Sequence, residues 1–223
     1  MGEFKAAVNL TEALRYMGYQ GTADAATMAE MERAAMQIEK TAQPRYIARQ
    51  FSLQTTPQGI QVGETNLILT GNAIQKLLKD CKEGILLCAT LGSAVETLLR
   101  SMQLRDMGFA AMLDACASSA IESVCNAWEQ DLTQEMQPQF LTDRFSPGYG
   151  DLPITLQKQL CAVLDTARKI GVCVSGSGIL IPRKTVTAIV GIADVPQPHR
   201  DTKCDSCNKQ KDCPFRREGK HCG

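Results

Sequence analysis

The stretch Arg144-Phe145-Ser146-Pro147-Gly148-Tyr149-Gly150-Asp151 combines a cation, a turn signal and an aromatic ring within a few residues. Proline fixes φ just before a glycine, and a second glycine follows the tyrosine, so we expect the backbone to turn sharply here. The Arg144 guanidinium can bind a carboxylate through two parallel hydrogen bonds, and bare backbone at Gly148 admits a close ligand. A surface turn with a solvated arginine is the other interpretation, and these residues alone leave both open.

A long helix is predicted before this turn and a shorter one after it. Asp106 is a suitable N-cap for a helix that reaches about Gln134. After the turn, apolar residues recur at helical spacing over 156–170, and Gly171 is a natural stop. The turn is therefore expected to lie between two helices.

Two glutamates of the long helix share one side of it. Glu122 and Glu129 are seven residues apart, which corresponds to about 10 Å along a helix axis. A row of solvated acidic side chains explains the spacing, and so does contact between one carboxylate and a cationic ligand. The spacing favours neither explanation by itself.

The remainder of the first 195 residues alternates helical and extended patterns. A helix is predicted after Gly21 with Thr22 as its N-cap, another from Asn72 to about Lys82, and a third capped by Ser93. The extended segments are predicted at 45–53, 59–62, 66–70, 84–89, 172–174, 178–181 and 185–190.

Composition limits the function classes. The chain has 223 residues, 44% hydrophobic and 22% charged, as in ordinary globular proteins. Its formal net charge of zero argues against a protein whose main role is to bind nucleic acid or an anionic membrane. No apolar run has the length of a membrane span, and the first residues lack the apolar core of a secretory signal. We therefore expect a cytoplasmic protein with reduced thiols.

Four cysteines crowd into the C-terminal segment. Pro196 marks a boundary, so we predict one domain over 1–195 and a Cys-rich tail over 196–223. The candidate metal ligands of the tail are Cys204, Cys207, Cys213 and Cys222. Four thiolates satisfy either a structural zinc ion or an iron–sulfur cluster, and a tail without metal is the third interpretation; the spacing leaves the choice open.

The run Arg144-x-x-Pro147-Gly148-Tyr149 resembles the Arg-x-x-x-Gly-Tyr motif of the activation domain of cobalamin-dependent methionine synthase. Its surroundings are similar as well, since a long helix precedes the motif and Ile179-Leu180-Ile181-Pro182 leads into a strand at Thr185. The resemblance covers about residues 84–192. No cobalamin-binding Asp-x-His-x-x-Gly motif is present, so we expect a freestanding activation subunit.

The resemblance implies an α+β fold, a curved single domain with a twisted antiparallel sheet flanked by helices. It implies that Arg144 holds the carboxylate of S-adenosylmethionine and that Pro147, Gly148 and Tyr149 shape the pocket. Glu122, with Glu129 in reserve, would meet the amino group or the sulfonium. The implied function is reductive methylation of cob(II)alamin on a separate methionine synthase, with an electron donor such as flavodoxin or ferredoxin.

Two alternatives stay open at this point. The partner could be the corrinoid protein of another methyltransferase system, because the motif carries no information about which corrinoid protein is served. The tail could instead make the chain a zinc-bearing interaction or nucleic-acid-binding module, since from Pro196 onward it holds seven Lys and Arg against four Asp and Glu.

Overall fold

The structure is a computed structural model that describes residues 5–19 and 23–197. The helices of the described residues are α1 (Leu10–Tyr16), α2 (Ala25–Thr41), α3 (Asn72–Leu77), α4 (Ser93–Gln103), α5 (Met107–Glu135), α6 (Leu156–Leu164) and α7 (Thr166–Ile170). The strands are β1 (Arg45–Thr56), β2 (Gly59–Val62), β3 (Ile68–Leu69), β4 (Cys81–Thr90), β5 (Phe140–Leu141), β6 (Cys173–Val174), β7 (Leu180–Ile181) and β8 (Thr185–Ala193).

Six of these strands form an antiparallel sheet in the order β3-β2-β1-β4-β8-β5. The long strands β1, β4 and β8 form its centre, and β6 pairs with β7 in a separate hairpin. Strand β5 covers only the end of β8, at Ile192 and Ala193, and Phe145 adds one bridge to Ile189. Within the described residues, the segment from Thr185 to Ala188 therefore has a strand neighbour on its β4 side only.

Helices cover both faces of the sheet, because side chains of a strand alternate between faces. On one face, Leu87 and Ala188 pack under α5, which buries Leu113 and Val124 among α1, α2 and α4. On the other face, the side chains of Leu86 and Ile189 pack with those of α3, α6 and α7. The predicted class is confirmed: one α+β domain with an antiparallel sheet flanked by helices.

Several predicted boundaries are wrong. Helix α2 begins after Asp24, whose carboxylate accepts hydrogen bonds from the N–H groups of Ala26 and Thr27; the expected cap, Thr22, lies outside the described residues. Helix α3 stops at Leu77 because β4 already begins at Cys81. Helix α4 starts at Ser93 itself, with the residue before it making no side-chain cap.

Two further differences come from tertiary packing. The helix predicted over 156–170 is broken at Asp165, which adopts the left-handed conformation with φ 55°. After this break α7 packs on β1, whereas α6 contacts β4, β8 and β1. Strand β8 continues past Gly191 to Ala193 because pairing with β4 and β5 persists there.

Candidate functional site

Arg144 lies against one side of α5 and contacts three of its polar side chains. Its Nη2 is 3.3 Å from Glu122 Oε2 and donates a 2.6 Å hydrogen bond to Asn126 Oδ1. Its Nε is 3.3 Å from Glu129 Oε2. Two carboxylates therefore share one guanidinium, which leaves this cluster with a formal charge of −1.

The sequence explains why these groups meet. Phe145 exchanges backbone hydrogen bonds with Ile189, which fixes the segment at the edge of β8 and buries the Phe145 ring in the core. Because neighbouring side chains of an extended segment point in opposite directions, Arg144 points to the α5 side. Residues 122, 126 and 129 are spaced by four and three along the helix, so they form one row opposite it.

The guanidinium is only partly satisfied by these contacts. The Arg144 side chain is 18% exposed, and its Nη1 is buried without a hydrogen-bond partner among the described residues. The thiol of Cys125 lies beside it. Burial raises the pKa of Cys125 to about 12, which the Arg144 charge opposes, so this thiol is neutral at physiological pH and is not a nucleophile.

Backbone hydrogen bonds between residues 146 and 152 close the turn. The N–H of Gly148 donates to the carbonyl of Leu152 at 2.8 Å, and the N–H of Tyr149 donates to the carbonyl of Ser146 at 3.0 Å. Gly148 has φ 94°, and a Cβ there would lie 3.2 Å from Ile154 Cδ1. The bare backbone expected at Gly148 therefore admits the Ile154 side chain, while the half-exposed Tyr149 ring packs edge-on against Phe145.

Asp151 anchors the end of this turn to α3. Its carboxylate accepts hydrogen bonds from the backbone N–H groups of Ala73 at 3.0 Å and Asn72 at 2.6 Å. These two bonds, from Ala73 first and then Asn72, hold the pKa of Asp151 below its ordinary value. The first turn of α3 and the Arg144 turn are thus held together by one ionised side chain.

A cleft of about 830 Å³ opens between α1, α5 and the start of β8, a volume typical of small-molecule sites. Glu122 lines the cleft and is also bound to Arg144. Small side chains of α5, such as Ala111, Ala115 and Ser118, leave the space. The Arg144 cluster therefore stands at one end of the cleft.

A second cation, Lys184, is bound by α5 within the cleft. Its Nζ is 2.9 Å from Asp114 Oδ1 and donates to the Asp114 carbonyl at 2.9 Å and to Ser118 Oγ at 2.8 Å. The Lys184 side chain is 12% exposed, whereas that of Asp114 is 43% exposed. One oxygen of Asp114 is thus bound to Lys184 while its carboxylate faces the cleft.

Helix α1 forms the opposite wall of the cleft. The Tyr16 hydroxyl donates to Glu12 Oε1 at 2.9 Å. Burial first, and then this hydrogen bond, raise the pKa of Tyr16 to about 12, with Glu122 contributing to the same direction. Tyr16 is therefore a neutral phenol close to Glu122, and the charged residues that line the cleft are the carboxylates Asp114 and Glu122 and the cations Arg183 and Lys184.

The structure brings together three of the predicted site residues, Arg144, Glu122 and Glu129. Pro147, Gly148 and Tyr149 lie in the adjoining turn and are not among the described residues that line the cleft. Tyr16, Asp114, Asn126 and Lys184 were missed, although Asp114, Ser118, Glu122 and Asn126 recur every four residues along α5, a signal that helical spacing could have supplied. The remaining predicted site residues, Cys204, Cys207, Cys213 and Cys222, lie outside the described residues.

Two general features of the described residues bear on function. None of the helices in residues 5–19 and 23–197 is long and apolar enough to span a membrane. The same residues hold no cluster of three or more His, Cys, Asp or Glu suited to a metal ion.

The fold is similar to that of a reactivation domain of known structure. The chain is similar to the crystal structure of the MetH reactivation domain bound to AdoHcy, with a TM-score of 0.59 over 95% of this chain and 83% of that chain. The two sequences are 15% identical, so the similarity concerns the fold. No protein-family model matches the sequence, and no curated protein matches it either.

Proposed function

We propose that the chain binds S-adenosylmethionine and supports reductive methylation of cob(II)alamin on a separate cobalamin-dependent methionine synthase. The observation that carries the proposal is Arg144, held between two glutamates at the end of a cleft in a fold similar to a domain that binds S-adenosylhomocysteine. The Arg144 turn and the acidic row of α5 would be its binding residues. An electron donor such as flavodoxin or ferredoxin would serve the same complex.

The charges of the cluster match those of the ligand. The amino-acid end of S-adenosylmethionine carries a carboxylate and an ammonium, and its sulfonium is cationic. Arg144 supplies a guanidinium for the carboxylate, and Glu122 at the cleft can accept from the ammonium or face the sulfonium. The excess of one negative charge in the cluster complements the net charge of the ligand.

The reaction does not require a general acid or base from this chain. Methyl transfer and reduction take place at the cobalt of the partner, so the residues of the cleft bind and orient the methyl donor. The neutral thiol of Cys125 and the phenol of Tyr16 are consistent with that role because neither is ionised near neutral pH.

Calorimetry with S-adenosylmethionine and S-adenosylhomocysteine tests the binding step. The reactivation step is tested by mixing the chain with a cob(II)alamin-loaded methionine synthase lacking its own activation domain, a reductant and S-adenosylmethionine, and following methylcobalamin by absorbance. We expect methylcobalamin only when this chain is present. An equal rate without it would contradict the proposal, and success with a different corrinoid protein alone would reassign the partner.

For the tail we propose an iron–sulfur cluster on Cys204, Cys207, Cys213 and Cys222, whose four thiolates are enough to hold one. The reaction needs a one-electron reductant, and zinc has no redox chemistry. Elemental analysis of anaerobically purified protein is expected to find iron and sulfide, and replacement of Cys204 and Cys207 by serine should abolish visible absorbance without altering ligand affinity. One zinc per chain and no iron would decide for a structural zinc site.

A further inference from the structure

The cleft continues well beyond the residues that the proposed function uses. From Glu122 it follows α5 toward the helix N-terminus, past Ser118, to Asp114. These eight residues correspond to about 12 Å along the helix axis. The far end, around Asp114 and Lys184, is therefore a distinct part of the same cleft.

The spacing fits the length of an S-adenosyl ligand. From the carboxyl carbon of its amino-acid half to the ribose hydroxyls there are about eight bonds, or on the order of 10 Å when extended. A ligand whose amino-acid end lies at Arg144 and Glu122 thus reaches the neighbourhood of Asp114 with its ribose.

Asp114 has the chemistry that a ribose requires. A carboxylate accepts hydrogen bonds from vicinal hydroxyls, as acidic residues do in dinucleotide-binding folds. Lys184 binds Asp114 Oδ1 at 2.9 Å and uses its other donors on the Asp114 carbonyl and Ser118 Oγ. The lysine fixes the orientation of the carboxylate, and the 43% exposure of Asp114 leaves the carboxylate accessible.

The surface next to Asp114 suits a flat heterocycle. The cleft-lining side chains of α5 near this end are small or apolar, namely Met107, Ala110, Ala111 and Ala115; Met17, which follows α1, also lines the cleft, as do the polar Gln103 and Arg183. Methionine makes favourable contacts with aromatic rings, and alanines allow close approach. An adenine ring can therefore lie on this surface while its ribose reaches Asp114.

We propose that the Asp114 end of the cleft binds the nucleoside half of an S-adenosyl ligand, with Asp114 accepting from the ribose hydroxyls and Lys184 acting as its positioning residue. This assignment rests on the proposed function and adds an orientation to it: amino acid at Arg144, nucleoside at Asp114.

The test compares two ligands in three variants of the full chain. The ligands are S-adenosylhomocysteine and 5′-methylthioadenosine, which has the nucleoside but no amino-acid group. Asp114→Asn keeps an oxygen for Lys184 but removes the charge that the hydroxyls bind, and Arg144→Gln removes the other anchor. Asp131→Asn, an exposed carboxylate farther along α5, is the matched control.

By calorimetry, Asp114→Asn is expected to weaken both ligands at least about tenfold, the usual loss for a hydrogen bond to a charged group. Arg144→Gln should weaken S-adenosylhomocysteine alone, and Asp131→Asn neither. Two results would overturn the orientation and leave the proposed function intact. One is unchanged affinity for both ligands in Asp114→Asn; the other is weaker methylthioadenosine binding in Arg144→Gln but not in Asp114→Asn.

Wild-type protein that binds neither ligand would overturn both proposals. If Asp114→Asn does not fold, the comparison moves to wild-type protein with the 2′- and 3′-deoxy forms of methylthioadenosine. These must bind at least about tenfold more weakly than the parent if Asp114 holds the ribose hydroxyls; equal affinity would overturn the assignment.

Discussion

Arg144 and Lys184 are two cations bound by the same helix, and they differ in how much of their hydrogen-bonding capacity the protein uses. A lysine ammonium has three donors, and Lys184 spends them on Asp114 Oδ1, the Asp114 carbonyl and Ser118 Oγ. Arginine has five N–H groups, and those on Arg144 Nη1 have no partner among the described residues.

The difference is between a cation whose donors are all used by the protein and one that keeps a donor group without a partner among the described residues. Lys184 joins the start of β8 to α5 and orients Asp114, so it has little left to offer a ligand. Arg144 faces a surplus of carboxylate and keeps buried donors unused, which is a cost in the folded state. A carboxylate that reached Nη1 would relieve that cost, which is a physical reason to test Arg144 as a ligand-binding residue.

The largest expected effect is that of Arg144→Ala on ligand affinity. Loss of one partner of a desolvated charge pair costs about 2–4 kcal/mol, so S-adenosylhomocysteine should bind about 30- to 1000-fold more weakly by calorimetry. Arg168→Ala, which removes an exposed arginine paired with Asp165, is the control and should bind normally. Equal affinity in the Arg144 variant and wild type would remove Arg144 from the site.

A smaller effect is expected from the two glutamates, and it should be unequal. Glu122 lines the cleft and Glu129 does not, so Glu122→Gln should weaken binding about tenfold, as for loss of one charge-assisted hydrogen bond. Glu129→Gln should change the affinity by less than about threefold, as for a partly exposed pair. The opposite ranking would place the ligand beside Glu129, nearer the C-terminal end of α5, instead of beside Glu122.

The smallest of the three effects on binding is expected from Lys184→Met, which should act mainly on stability. The change removes three hydrogen bonds but keeps the apolar stem, so the free energy of unfolding in urea should fall by about 1–3 kcal/mol. Affinity should fall less than in Arg144→Ala. Lys158→Met, at an exposed position of α6, is the control; a Lys184 variant as stable as this control would contradict the structural role.

Local patterns predicted α5, its N-cap Asp106 and the shared side of Glu122 and Glu129, because helical spacing is a property of nearby residues. The contact between Lys184 and Asp114 joins residues 70 positions apart, and no local pattern encodes it. The break at Asp165 is similar: 156–170 reads as one helix, and packing against β1 and β4 divides it. The metal-binding assignment of the tail stays a prediction.

Because Asp151 accepts hydrogen bonds from the backbone amides of Asn72 and Ala73, deuterium exchange at these two amides depends on the position of the Arg144 turn. The N–H groups of Asn72 and Ala73 belong to the first turn of α3, where amides usually exchange quickly with solvent because no helical carbonyl accepts from them. Here they donate to the carboxylate of Asp151, which lies 79 residues after Asn72 and 78 after Ala73. Asp151 is within three residues of Gly148 and Tyr149. A ligand that steadies the Arg144 turn will slow deuterium uptake at these two amides, so occupancy of the cleft can be followed from a helix that never touches it.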